Sequence, residues 1–262
     1  SDVCSSDLSA AKNACLAARA CSFTCSMLAR GVPGEGLQRL GMWFFRRTCL
    51  WGRDPRAFCR AVDRSARGAY NTSMATWHID RAAGEARAAQ IDWLLLDVDG
   101  VLTDGRLYLG ADGAACQAFH VHDGHGLRLW QRAGRHTAVM SGRVSSAVAQ
   151  RCADLGIEHV YQGARDKRMA FEAFLRETGA DPRSVCACGD DLLDLPLLRA
   201  AGLAVAVADA VPDVRAAAHL VTERGGGMGA VREVIELLLR VQDVWSTVTT
   251  RYFDDNWNGS IQ

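Results

Sequence analysis

The sequence predicts an α/β fold built as a doubly wound parallel sheet with an inserted β-hairpin, and three observations carry that expectation. Its strand-length segments, such as Leu94–Leu96 and Leu203–Val207, are continuous apolar runs rather than alternating ones. Strands buried on both faces read this way, and parallel sheets covered by helices bury both faces. Helix-length amphipathic segments lie between these runs, the alternation of a βαβ chain. Several runs also stop abruptly at polar residues, which is where a parallel sheet gathers its ligands.

Residues 1–73 show no sustained period of 2 or 3.6, and Ser1–Leu8 resembles translated adapter sequence more than a protein terminus. They are expected to be a non-native or poorly ordered extension, with the organised chain starting at Met74. A short helix over Arg81–Gln90 leads into a first strand, Ile91–Asp97. Next, Gly105–Leu109 and Ala114–Val121 flank Gly110-Ala111-Asp112-Gly113, and Asp-Gly between apolar segments signals a hairpin. A hairpin placed there projects over the end of the first strand. It is too small to be a lid domain, so a neighbouring subunit is the natural candidate to complete a pocket.

A helix over Asp123–Ala133 precedes a second strand, Arg135–Met140, which ends in Ser141-Gly142-Arg143. A helix over Ser145–Asp154 and a third strand, Gly156–Val160, follow. Asp166–Thr178 is an amphipathic helix carrying Met169, Phe171, Phe174 and Leu175. The fourth strand, Ser184–Gly189, ends in Asp190-Asp191, and Leu192–Ala200 is the next helix. A fifth strand over Leu203–Val207, a short helix over Asp213–Ala218, a flexible loop at Gly225–Gly229 and a last helix over Ala230–Val241 complete the domain, 74–245. The tail, 246–262, carries no periodicity.

Thirty basic and thirty acidic side chains cancel, so the chain presents no overall charge that would favour nucleic acid. No apolar run approaches the roughly 18 residues of a membrane span, and the expected location is the cytoplasm. Of ten cysteines, Cys116, Cys152, Cys186 and Cys188 fall in the α/β pattern and read as small core residues. Cys21-x-x-x-Cys25 lacks a second ligand pair at zinc spacing. His120, His122, Asp123 and His125 form a local cluster; strand alternation would put His120 and His122 on one face, and a hairpin-surface or intersubunit role is favoured over a metal site.

The polar strand ends differ in kind. Asp97 and Asp99 follow the first strand, Ser141 the second, and Asp190 and Asp191 the fourth, while Lys167 opens the helix after the third. Mg²⁺ prefers oxygen ligands and is commonly held by one or two carboxylates with water and phosphate oxygens. A hydroxyl and the N–H groups of a helix N-terminus can hold phosphoryl oxygens. A lysine offsets repulsion between a carboxylate and an anionic ester. Singly these residues read as caps and turns; together and in this order they suit a phosphate ester.

The order Asp-x-Asp, Ser, Lys, Gly-Asp-Asp-x-x-Asp resembles the haloacid dehalogenase superfamily. Asp97–Asp104, Asp123-Gly124-x-Gly126, Ser141-Gly142-Arg143, Tyr161-Gln162-Gly163, Gly189–Asp194 and Gly226–Val234 narrow the resemblance to its 3-deoxy-D-manno-octulosonate 8-phosphate phosphatases. The resemblance covers about 91–241. It implies a cap-less domain in which Asp97 is the nucleophile and Asp99 the general acid and base. Mg²⁺ would be bound by Asp97, Asp99 (through its carbonyl) and Asp190, with Asp191 or Asp194 supporting. Ser141, Gly142 and Lys167 would hold phosphate and Arg143 would contact substrate, a small phosphorylated sugar acid. It further implies a homotetramer built through the hairpin, and a place in lipopolysaccharide precursor synthesis. Members often carry Lys and Arg where Gln117 and His122 stand, and a basic residue in place of Met228. These departures bear on the sugar, not on phosphoryl transfer. A nine-carbon ulosonate 9-phosphate as substrate, a phospho-receiver module and an inactive regulatory domain are the alternatives.

Overall fold

The computed structural model describes residues 75–109 and 115–253, all within one compact unit, Tyr70–Gln262. The expectations for residues 1–73, the hairpin tip and the end of the tail fall outside the described residues.

The chain forms β1 (Ala75–Trp77), α1 (Arg81–Ala88) and β2 (Trp93–Leu96), then a small hairpin of β3 (Tyr108–Leu109) and β4 (Ala115–Cys116). There follow α2 (Val121–Arg132), β5 (His136–Ser141), α3 (Ser146–Asp154), β6 (His159–Gln162), α4 (Lys167–Thr178) and β7 (Val185–Gly189). The rest is α5 (Leu195–Ala200), β8 (Leu203–Ala206), α6 (Pro212–Ala217), β9 (Leu220–Thr222), α7 (Ala230–Val241) and α8 (Trp245–Thr249). The main sheet runs β1-β9-β8-β7-β2-β5-β6 and is parallel except for β1. From β2 the chain builds outward through β5 and β6, then returns to the other side for β7, β8 and β9. The strand order therefore reverses at β2, and this reversal opens the crevice in which such sheets bind ligands.

The apolar runs behave as the pattern predicts: every residue of β2, β7 and β8 is buried, including Cys186 and Cys188. Trp93 packs on Phe174 with ring centroids 5.0 Å apart, and Trp130, fully buried, donates from Nε1 to the His136 carbonyl at 2.8 Å. These bury large rings without leaving the indole N–H unpaired.

Five expectations need correction. Cys116, read as a core residue, is exposed on the hairpin, whereas Cys152, Cys186 and Cys188 are buried. The third strand is His159–Gln162, because Gly156 and Ile157 close α3: the Ile157 N–H returns to the Cys152 carbonyl, a Schellman-type cap. The hairpin's return strand is only two residues long, and Val121 already belongs to α2, whose N-cap is His120. His120 and His122 are therefore helix-start residues, not strand neighbours, and His120 Nδ1 accepts the His122 N–H at 3.2 Å. Leu192–Ala200 divides into a 3₁₀ turn, Leu192–Asp194, and α5. Finally, the loop Gly225–Gly229 is laid against other backbone: a Cβ at Gly226 would stand 1.7 Å from the Gly100 carbonyl oxygen, and Gly227 N–H donates to the Val101 carbonyl at 3.0 Å. Its glycines serve close approach rather than looseness.

Three short elements carried no readable period: β1, β9 and α8. The last is held by side chains, since Trp245 lies beneath the guanidinium groups of Arg240 and Arg232, 4.5 and 5.5 Å from the ring centroid. Among the described residues no helix is long and apolar enough to cross a membrane.

Candidate active site

The three strands that meet at the reversal are in register: Leu96 pairs with Val139 on one side and with Cys188 on the other. Asp97, Ser141 and Asp190 thus emerge at the carboxyl ends of neighbouring strands. The loop after β2 is pulled tight, with the Val98 carbonyl accepting the N–H groups of Leu102 and Thr103 at 3.0 Å each. Gly100 sits within it at φ +95°, where a Cβ would come 2.0 Å from Asp190 Oδ2. No side chain fits there without pushing the acidic residue away.

Carboxylate oxygens of Asp97, Asp190 and Asp194 all lie within 4.8 Å of one another. Lys167, at the start of α4, reaches into this cluster, its Nζ 2.6 Å from Asp97 Oδ1 and also bonded to Asp194 Oδ1. Asp97, Lys167 and Asp194 are 6, 4 and 1 % exposed, so the charges meet in a nearly dry place. The second Asp194 oxygen accepts the backbone N–H groups of Asp190 and Asp191 at 3.0 and 3.3 Å. That bond bends the 3₁₀ turn back and fixes where Asp190 stands.

Electrostatically the cluster is overloaded with acid. Burial, then the charge of Asp194, pushes the Asp97 carboxyl up to about 6, although Lys167 opposes this. Asp190 is pushed up to about 8 by burial first and then by Asp97, Asp194 and Asp191. Burial alone would lower the Lys167 pKa, but Asp97 and Asp194 outweigh it and hold it above the ordinary value. Asp190 Oδ1 is buried with no hydrogen-bond partner among the described residues. Clustered oxygens that repel one another, one of them unpaired, are a donor set that fits a hard divalent cation.

Above this tier lies a wetter one. Asp99 Oδ1 accepts from Gln117 Nε2 at 2.8 Å, and Arg143 Nε stands 3.8 Å from Asp99 Oδ2. Ser141 is buried, its Oγ accepting the Arg143 N–H at 3.2 Å, with Gly142 between them.

A family model for haloacid dehalogenase-like hydrolases matches residues 128–235. The 3-deoxy-D-manno-octulosonate 8-phosphate phosphatase of Escherichia coli K12 is 46 % identical over 157 residues, which is 60 % of this chain and 84 % of that protein. The chain belongs to the 3-deoxy-D-manno-octulosonate 8-phosphate phosphatase family. Its fold is shared by the crystal structure of the family's Yersinia pestis protein (43 % identity, TM-score 0.61, covering 62 % of this chain and 88 % of that one). It is shared too by the Moraxella catarrhalis phosphatase in complex with a magnesium ion, phosphate ion and KDO molecule (34 % identity, TM-score 0.64, 66 % and 99 % coverage).

Within this phosphatase fold Asp97, Asp190 and Lys167 come together, and Ser141 ends the adjacent strand. Asp191 does not join them: its side chain caps the 3₁₀ turn, accepting the Leu192 N–H at 2.7 Å. Asp194, expected only as a supporting residue, holds Lys167 and the Asp190 backbone at once. Its signal was present in Gly-Asp-Asp-x-x-Asp, whose spacing is that of a capping box. Gln117, expected as a departure that bears on the sugar alone, instead donates to Asp99; the contact itself was not legible, because 18 residues and a hairpin separate the two.

Proposed function

We propose that this protein is a Mg²⁺-dependent phosphatase that hydrolyses 3-deoxy-D-manno-octulosonate 8-phosphate to the free sugar acid and phosphate. The observation that carries the reading is the convergence of Asp97, Asp190 and Asp194 within 4.8 Å beside Lys167, at the sheet's point of reversal. Identity of 46 % to relatives bearing that activity in their names supports the choice of substrate.

Asp97 attacks phosphorus and becomes an aspartyl-phosphate, and Lys167 offsets the repulsion between its carboxylate and the anionic ester. Asp99 gives a proton to the departing sugar oxygen and then takes one from the water that hydrolyses the intermediate. Ser141, the Gly142 backbone and Lys167 hold the phosphoryl oxygens, and Arg143 contacts the sugar acid. The Asp97 and Asp190 side chains and the Asp99 carbonyl would hold Mg²⁺, which when bound would supply positive charge to offset that of the phosphoryl group. Leu107, Tyr108 and Leu109 of the hairpin are 43, 45 and 70 % exposed, a surface that suits assembly of a homotetramer over the site. Work in the cytoplasm, in lipopolysaccharide precursor synthesis, completes the proposal.

The test is phosphate release from a panel of phosphorylated sugar acids, with Mg²⁺ and with chelator. The expected result is metal-dependent turnover with kcat/KM highest for the eight-carbon ester. A higher value for a nine-carbon ulosonate 9-phosphate would replace the substrate, and silence on every ester would end the phosphatase reading for this chain.

A further inference from the structure

We propose that Gln117 is a positioning residue for Asp99, locked into that task by Ser145. The inference rests on the reading of Asp99 as the proton-transfer group. Gln117 lies just after β4, so the hairpin's return carries its amide back to the end of β2. Its Nε2 donates to Asp99 Oδ1 at 2.8 Å. Its Oε1 accepts from the Ser145 hydroxyl at 2.6 Å. An amide has one donor end and one acceptor end, so a donor fixed on Oε1 compels the NH₂ group to face the carboxylate.

Ser145 is itself held. Its backbone N–H donates to Gln162 Oε1 at 2.6 Å at the end of β6, and its Oγ accepts the Val148 N–H at 3.5 Å as the N-cap of α3. The relay runs from β6 and α3 through Ser145 and Gln117 to Asp99, and each link is a directional hydrogen bond between partly buried groups. Asp99 Oδ1 is occupied by it. Oδ2, which faces Arg143 Nε at 3.8 Å, beyond hydrogen-bond reach, is the oxygen left to exchange a proton with the substrate. A carboxylate on a turn tip with 23 % of its side chain exposed would otherwise rotate among several orientations. Gln117 removes that freedom. A neutral donor does this without bringing a second full charge beside the reacting group.

A general acid and base is worth about 10²–10⁴-fold, so losing its orientation alone is expected to remove about tenfold of kcat. The experiment compares the wild-type protein with Gln117→Leu, Gln117→Glu and Gln117→Lys in Mg²⁺-dependent hydrolysis of the eight-carbon ester, with Tm measured for each. Leu has similar size and no donor; Glu keeps the shape but turns an acceptor toward Asp99; Lys restores a donor. Leu and Glu are expected to lower kcat about tenfold with KM changed less than about twofold and Tm close to wild type, and Lys to recover most of the loss. Unchanged kcat in Leu and Glu overturns the proposal. So does a loss confined to KM, which would make Gln117 a substrate contact, or an equal loss in all three variants accompanied by lower Tm, which would make it structural. Should Leu fail to fold, the comparison of Glu with Lys decides. A wild-type protein that releases no phosphate overturns the phosphatase reading, an outcome distinct from an active wild type with indifferent variants.

Discussion

The two tiers of the site are made differently. The inner tier of Asp97, Asp190, Asp194 and Lys167 grows from the ends of parallel strands, a 3₁₀ turn and the first residue of a helix, and most of it is dry. The outer tier of Asp99, Gln117, Ser145 and Arg143 hangs from turns and the hairpin and is partly open to water. In the dry tier charges cannot be screened, so each must be answered by another charge, and the residue types there are tightly constrained. In the wet tier solvent forgives an unpaired group, so geometry has to be enforced by directional hydrogen bonds. One tier supplies chemical force and the other supplies aim.

The largest expected effect divides the tiers by activity. Asp97→Asn removes the nucleophile and should lower phosphate release by at least about 10³-fold, whereas Asp99→Asn should lose about 10²–10⁴-fold while still binding Mg²⁺. Steady-state turnover with isothermal titration of the metal checks both. Full turnover in Asp97→Asn would abolish the covalent route.

The next divides them by stability. Lys167→Met leaves Asp97 and Asp194 buried without their shared countercharge, at a cost of about 3–5 kcal/mol near pH 8 and less near pH 5, where a carboxyl takes up a proton. Arg143→Met, at a side chain 51 % exposed and 3.8 Å from Asp99, should change stability by no more than about 1 kcal/mol and act on KM instead. Denaturant unfolding of both variants measures the contrast, and equal losses would erase the distinction between dry and wet.

The same contrast explains what the sequence made legible. The inner tier was readable because its residues follow apolar strands, and a parallel sheet forces the ends of neighbouring strands together whatever the intervening chain does. Asp194 was readable through its capping-box spacing. The outer tier was not, since Gln117 meets Asp99 only after a hairpin of no strong period turns back. The glycine loop misled for a related reason: Gly225–Gly229 suggests freedom along the chain, and only the fold reveals that Gly226 is pressed against Gly100. The short β1, β9 and α8 lacked the length any periodicity needs, and tertiary contacts such as Trp245 beneath Arg240 hold α8 in place.

A smaller effect sharpens the account of the inner tier, because it has the opposite sign from the usual consequence of mutating a buried charged residue. Asp97 and Asp190 have pKa values near 6 and 8 in the folded protein against an ordinary 3.8, owing first to burial and then to neighbouring carboxylates. Without metal, the folded state therefore binds more protons than the unfolded one between about pH 4 and pH 8. Their contribution to stability is complete below pH 4 and is lost as pH rises through 6 and then 8. Asn at position 190 cannot ionise. Metal-free Asp190→Asn should match wild type near pH 4 and exceed it in Tm near pH 8 by at least about 2–4 °C, the shift of one kcal/mol in a domain this size. Mg²⁺ should raise Tm of the wild type at pH 8 and do so far less in the variant, because bound cation offsets the repulsion that the substitution has already removed. Thermal unfolding scans at the two pH values, with and without Mg²⁺, measure all four states. A variant less stable than wild type at pH 8 without metal would mean that the acidic cluster is at ease in the fold, and that its crowding is not what prepares it for a cation.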